Sequence, residues 1–137
     1  RRCLDYGIRT WIFSIEPCRI SDGDPLLAEH PELFSTAGAP YGCHLMCPSR
    51  PAAIRYIEES VKDIFTQVPG LGGVMMIANG ERLTTCLSTI DTVTGLRYGS
   101  CPDCDRLEPW QMYEAVSKAV VRGIRAAGST AEYISWV

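Results

Sequence analysis

Apolar residues recur at intervals of three and four through Ile54, Ile57, Val61, Ile64, Phe65 and Val68, while Arg55, Glu58, Glu59, Lys62 and Asp63 take the opposite side. This spacing predicts an amphipathic helix. Ser49 is its expected N-cap, Pro51 falls in the first turn where a missing N–H costs nothing, and Pro69-Gly70 stops it. A second helix opens at Pro109, carries Met112, Val116, Ala119, Val120 and Ile124 on one face, and ends near Ala127-Gly128 with glycine as a left-handed cap. Three segments read as strands: 7–15, rich in β-branched and aromatic residues and closed by Glu16-Pro17; 74–78, short and wholly apolar; and 131–137. Residues 1–6 read as the tail of a preceding helix.

The resulting order is strand, helix, strand, helix, strand, the signature of a parallel α/β sheet. Both strand-to-helix connections are long and both helix-to-strand connections short. The first long connection, 18–40, holds turn-like Asp22-Gly23-Asp24-Pro25 and Ala37-Gly38-Ala39-Pro40, with room for a helical turn at Pro31-Glu32-Leu33-Phe34, and is followed by a short extended piece over 41–46. In the second, 79–108, Thr92-Val93-Thr94-Gly95 predicts a turn or small hairpin. Elaborated loops gathered at the carboxyl ends of strands are the pattern of a (β/α)8 barrel. The expected fold is therefore α/β, part of a TIM barrel, with about three parallel strands, two intervening helices and long βα loops. A dinucleotide fold is disfavoured, because no G-x-G-x-x-G follows a strand and Gly72-Gly73 precedes one instead.

Within that frame the run from Val68 to Glu81 stands out, since its apolar strand ends abruptly in Asn79-Gly80-Glu81. The carboxyl end of a parallel strand is where such scaffolds present chemistry. Glu16 is the other acid at a strand end in view, and it also reads as the first residue of a loop.

The composition, 46% hydrophobic and 21% charged over 137 residues, provides for one core. We expect a single domain over 1–137. A net charge of −3 and no Lys/Arg cluster interleaved with aromatics argue against nucleic acid as a partner. No apolar run approaches the roughly 20 residues of a membrane-spanning helix, so no membrane partner is expected. The chain opens on Arg1-Arg2-Cys3 without Met and closes on a strand, from which we expect a fragment of a larger domain.

Seven cysteines leave at least one thiol unpaired, and their spacing does not match a secreted disulfide framework. Buried free thiols packing as small hydrophobes are one reading. In another, Cys86, Cys101 and Cys104 form a structural cluster stapling the long loops by disulfide or metal, with Cys43, His44 and Cys47 as further contributors to a tetrahedral zinc site. A redox role for Cys101-Pro102-Asp103-Cys104 is disfavoured because the following helix begins several residues later. The expectation is a structural cluster, with no metal ligand assigned.

The order of landmarks carries a resemblance. Cys47-Pro48-Ser49-Arg50-Pro51 before a helix, Pro69-Gly70-Leu71-Gly72-Gly73 before a strand, Asn79-Gly80-Glu81 at its end, then Cys86 and Cys101-Pro102-Asp103-Cys104 before the next helix resemble the middle of bacterial TIM-barrel glycoside hydrolases related to hexosaminidases and α-glucuronidases. The resemblance implies a glycosidase acting on an oligo- or polysaccharide, without cofactor, completed by the remainder of its own barrel. An enzyme degrading polysaccharide would work in the periplasm or outside the cell. Glu81 would be the general acid/base and Glu16 a candidate second carboxylate. Asn79 would bond a sugar hydroxyl, and Arg82 would orient Glu81 or meet a sugar carboxylate. Trp136, at the end of the last strand, would offer a stacking face, while Trp11 reads as core. His44 is a further substrate-binding candidate or a packed, hydrogen-bonded residue. Gly80 stands where hexosaminidases that use the substrate's acetamido group carry Asp, which sets this chain apart from them. Two alternatives remain open: a non-catalytic carbohydrate-binding or degenerate barrel, and a metal-stapled interaction module.

Overall fold

The structure, a computed structural model, describes residues 2–15, 17–35, 42–79, 82–91, 93–99 and 101–136. A short helix α1 (Arg2–Asp5) leads into strand β1 (Trp11–Ser14). The first long connection contains strand β2 (Ile20–Ser21), helix α2 (Pro25–Glu29), a 3-10 turn at Pro31–Leu33 and strand β3 (Cys43–His44). Helix α3 (Pro51–Gln67), strand β4 (Gly73–Ile77), a 3-10 turn at Cys86–Thr89, helix α4 (Pro109–Ala126) and strand β5 (Glu132–Trp136) complete the order.

The three-stranded sheet runs β1-β4-β5, all parallel, with Phe13 opposite Met75, Met75 opposite Ile134, and Ile77 opposite Trp136. Because side chains alternate along a strand, Ile12, Val74, Met76 and Tyr133 share one face. That face packs with Ile57, Val61 and Phe65 of α3 and Val116, Val120 and Ile124 of α4 in the main core. Both long helices therefore cover the same side of the sheet. They meet closely at Gly123, where a Cβ would lie 2.5 Å from the Glu58 carbonyl oxygen. Arg122 and Glu58 add an ion pair at 2.7 Å across the same contact.

The opposite face carries no such layer among the described residues. Phe13 and Trp136 are each 57% exposed there, and Ile134 is exposed too. Trp11 lies on this face rather than in the helix-side core. It is half-buried over Gly73, where a Cβ would come within 2.5 Å of its ring. The Gly72-Gly73 pair thus serves close packing of Trp11.

Several expectations meet the structure directly. Helix α4 buries Met112, Val116, Ala119, Val120 and Ile124, starts at Pro109 and is followed by Gly128 at φ 72°. Helix α3 is capped differently from the expectation: Arg50 occupies the N-cap position, and Ser49 Oγ–H instead donates to Cys104 Sγ at 3.1 Å. On its predicted apolar face Ile57, Val61 and Phe65 are buried, whereas Ile64 and Val68 are exposed. Strand β1 is shorter than 7–15, since its pairing with β4 begins at Trp11 opposite Gly73. Helix α2, not foreseen, starts where the Asp24 carboxylate accepts from the Leu26 amide at 2.9 Å. The predicted piece over 41–46 contributes β3, which pairs antiparallel with β2. The turn around Val93-Thr94-Gly95 is closed by an antiparallel bridge between Ile90 and Arg97. Thr92, Ala37-Gly38-Ala39-Pro40 and Val137 lie outside the described residues.

A second, smaller core forms where the strand-to-helix connections meet. It joins Leu45, Cys47, Cys86, Leu87, Ile90, Cys101, Cys104 and Met112, with Tyr113 and Leu107 packed against them.

Candidate functional site

The carboxyl ends of β4 and β5 are tied together by the Ala78 amide, which donates to the Trp136 carbonyl at 3.0 Å. Asn79, one residue beyond, is buried. Trp136 projects from the open face, its ring edge-on to Phe13 with centroids 6.4 Å apart and planes at 79°. Such a ring has an uncovered apolar surface against which a flat, weakly polar ligand face can stack.

The connection leaving β4 is closed on itself. Thr84, fully buried, donates its Oγ–H to the Ala78 carbonyl at 2.8 Å, and its amide donates to Ser88 Oγ at 3.0 Å. Ala78 and Thr84 are therefore tied directly to each other. Glu81 and Glu16 both lie outside the described residues. Arg82 is exposed. His44 lies on the β2–β3 ribbon, with its Nε2 2.7 Å from Asp22 Oδ1.

The cysteines are brought together beyond the expected trio. Sγ atoms of Cys47, Cys86, Cys101 and Cys104, all buried, lie within 4.8 Å of one another. Cys47 Sγ is 3.3 Å from Cys104 Sγ and 3.6 Å from Cys101 Sγ, well beyond the ~2.05 Å of a disulfide. Cys47 is thus the fourth member, while Cys43 belongs to the same small core outside the quartet. Two Cys-Pro pairs, Cys47-Pro48 and Cys101-Pro102, each ahead of a helix, are the sequence signal that links Cys47 to the others.

Hydrogen bonding polarises the quartet. Hydrogen bonding with the Cys47 and Cys86 thiols, and the proton that the Ser49 hydroxyl donates, hold the Cys104 pKa below the usual thiol range. Cys47 and Cys86 shift upward, chiefly through the hydrogen bonding with Cys104 and with burial adding to it. Around them, Arg50 Nε donates to Asp103 Oδ2 at 3.0 Å, linking the start of α3 to the Cys101–Cys104 turn. The Cys86 amide donates to the Met46 carbonyl at 3.1 Å, so the segment after β4 also docks beside Cys47. Four convergent thiols can hold a soft metal ion; Asn79 and Trp136 can present polar and aromatic groups to a ligand.

No protein-family model matches the chain, and no curated protein is significantly similar to it. Among solved structures it is similar to a GH36 α-galactosidase from Geobacillus stearothermophilus crystallised in complex with stachyose. The TM-score is 0.56 at 16% identity, over 96% of this chain and 18% of that one. The likeness is one of fold, and the chain spans under a fifth of that enzyme.

Proposed function

We propose that the chain is a (β/α) segment, residues 1–137 of one catalytic domain, of a TIM-barrel glycoside hydrolase that cleaves glycosidic bonds in an oligo- or polysaccharide. The observation that supports this most is the open sheet face ending in an exposed Trp136 beside the carboxyl end of β4. Sequential parallel strands with both helices on one side wind in the barrel sense, whereas a doubly wound sheet reverses direction and covers both faces. In a barrel Phe13, Met75, Ile134 and Trp136 would face the closed interior. An apolar groove of about 380 Å³ between β1 and α3, lined by Ile12, Tyr56, Ile64 and Met76, is where the neighbouring (β/α) unit would pack. The fold likeness to a glycosidase that binds stachyose is in keeping with a carbohydrate ligand.

In this reading Glu81, which follows β4 in sequence, protonates the leaving glycosidic oxygen. A second carboxylate, Glu16 or one from another strand of the barrel, attacks the sugar or activates water. Asn79 donates to a hydroxyl beside the reacting carbon, Trp136 stacks on the pyranose face, and Arg82 orients Glu81 or meets a sugar carboxylate. His44 borders the substrate from the first loop.

The test is hydrolysis of a panel of aryl α- and β-glycosides, α-galactosides included, by the intact polypeptide containing this chain. We expect turnover of at least one class, and a fall of roughly 10²–10⁴-fold in Glu81→Gln with sugar binding retained. Binding without turnover would overturn hydrolysis in favour of a carbohydrate-binding barrel; neither binding nor turnover would overturn the carbohydrate reading itself.

A further inference from the structure

We infer that Cys47, Cys86, Cys101 and Cys104 are the four ligands of one structural zinc ion that locks the two strand-to-helix connections together. This centre does not depend on the glycosidase reading.

Geometry is the first ground. A tetrahedron of Zn–S bonds about 2.3 Å long has corners about 3.8 Å apart. The four sulfurs lie within 4.8 Å of one another, and two of their separations are 3.3 and 3.6 Å. The quartet therefore needs only slight expansion to accept a single ion, whereas an iron–sulfur cluster would require the thiolates to stand around a core of several atoms. Four thiolates also select a soft or borderline ion over calcium or magnesium, which prefer oxygen.

Origin of the ligands is the second ground. Cys47 precedes α3, Cys86 follows β4, and Cys101 and Cys104 precede α4. Cysteines that served only as small apolar side chains would have no reason to direct sulfurs from three separate segments toward one centre. The surrounding donors fit a negatively charged tetrathiolate: Ser49 Oγ–H already points at Cys104, and Arg50 bonds Asp103 within the Cys101–Cys104 turn. Groups of this kind around a metal's ligands hold them in orientation and balance their charge.

Binding releases protons from the ligating thiols to solvent as four Zn–S bonds form, and no electrons move. With all four positions filled by protein there is no place for a bound water, so the ion serves structure rather than catalysis. Its effect is mechanical. It fixes Cys86, which docks on Met46, and with it the adjoining Thr84, whose hydroxyl holds the Ala78 carbonyl at the end of β4.

The experiment is metal analysis of the intact polypeptide, purified under reducing conditions, with zinc counted by mass spectrometry. We expect Cys86→Ser to lose one equivalent of zinc relative to the parent. Cys3→Ser, exposed and outside the quartet, should keep it. Cys47→His, which leaves a Cys3His donor set, should retain an equivalent with weaker affinity. Replacing zinc by cobalt should give the visible bands of a tetrahedral sulfur-ligated ion, lost in Cys86→Ser. The inference is overturned if the parent holds no zinc while its thiols are reduced, if Cys101 and Cys104 are recovered as a disulfide, or if iron occupies the site stoichiometrically. Because the zinc count involves no sugar, failure of the glycosidase reading leaves this outcome untouched, and the reverse holds too.

Discussion

Gly123→Ala tests the close contact of α3 and α4 on which the placement of both long connections depends. A Cβ at this position would lie 2.8 Å from Val61 Cβ and 2.5 Å from the Glu58 carbonyl oxygen. Carbon–carbon contact is favourable only from about 3.5 Å, so the helices would have to separate by about 0.7 Å. The Glu58 oxygen belongs to the backbone and cannot swing aside as a rotamer could. Overpacking of this kind costs about 1–3 kcal/mol, and the backbone partner places this site at about 2–3. Against it stands the helix-propensity gain of alanine over glycine, about 1 kcal/mol. The expected net destabilisation is therefore about 1–2 kcal/mol. Urea unfolding followed by circular dichroism should show a lower midpoint with an unchanged slope. In a Val61→Ala background the same substitution should cost only about 0.5 kcal/mol less, since Val61 Cγ1, 3.0 Å from the added Cβ, is gone while the Glu58 oxygen and the residue 61 Cβ remain. A Gly123→Ala protein as stable as the parent, or more stable, would refute the close approach of the helices at this point.

Other expectations are equally direct. Thr84→Val removes the hydroxyl that holds the Ala78 carbonyl and pairs with Ser88, leaving buried groups unsatisfied; a loss of about 1–3 kcal/mol in thermal or urea unfolding should follow. Trp136→Ala should weaken sugar binding by about 1–2 kcal/mol, roughly 5- to 30-fold in Kd by calorimetry, with the unfolding midpoint little changed because the ring is exposed. The Asp91 carboxylate accepts from the Thr94 and Val93 amides, and these bonds hold its pKa below the ordinary aspartate range. A depressed folded-state pKa means that the carboxylate supports the turn above the unfolded pKa and loses that support as pH falls through the folded value. NMR shifts of the Val93 and Thr94 amides should thus stay constant from neutral pH down to about 4 and move only below it; a transition at higher pH would contradict the bonding.

The sequence carried the long elements well because their signals are local. Helix α4 shows this best: its five named apolar positions are all buried, and Pro109 and Gly128 mark its ends. On α3 the same periodicity overstated burial at Ile64, which lines the open groove beside β1, and at Val68, which falls just past the last helical residue. The β2–β3 ribbon, two residues per strand, is held by pairing across twenty-odd positions and leaves no periodic trace. For the cysteines, the Cys101–Cys104 spacing was legible, whereas Cys47 was named beside Cys43 and His44 and only the fold selects it. Its place depends on the docking of Cys86 on Met46 and on the linkage of Arg50 to Asp103, both contacts between segments distant in sequence. Ser49 shows the same competition: a good capping residue by type, it is drawn to Cys104 while Arg50 takes the cap. Glu81 was proposed from position alone, since a polar stop after a buried strand is visible in one dimension, whereas a partner across a sugar is a relation in three.

The most direct measurement of the central claim is a crystal structure of the intact polypeptide with a bound oligosaccharide. The account predicts that β1, β4 and β5 form adjacent strands of a closed barrel, with Trp136 against the sugar and Glu81 facing a second carboxylate about 5–10 Å away. An open sheet, or a Glu81 directed away from the sugar with no carboxylate opposite it, would contradict it.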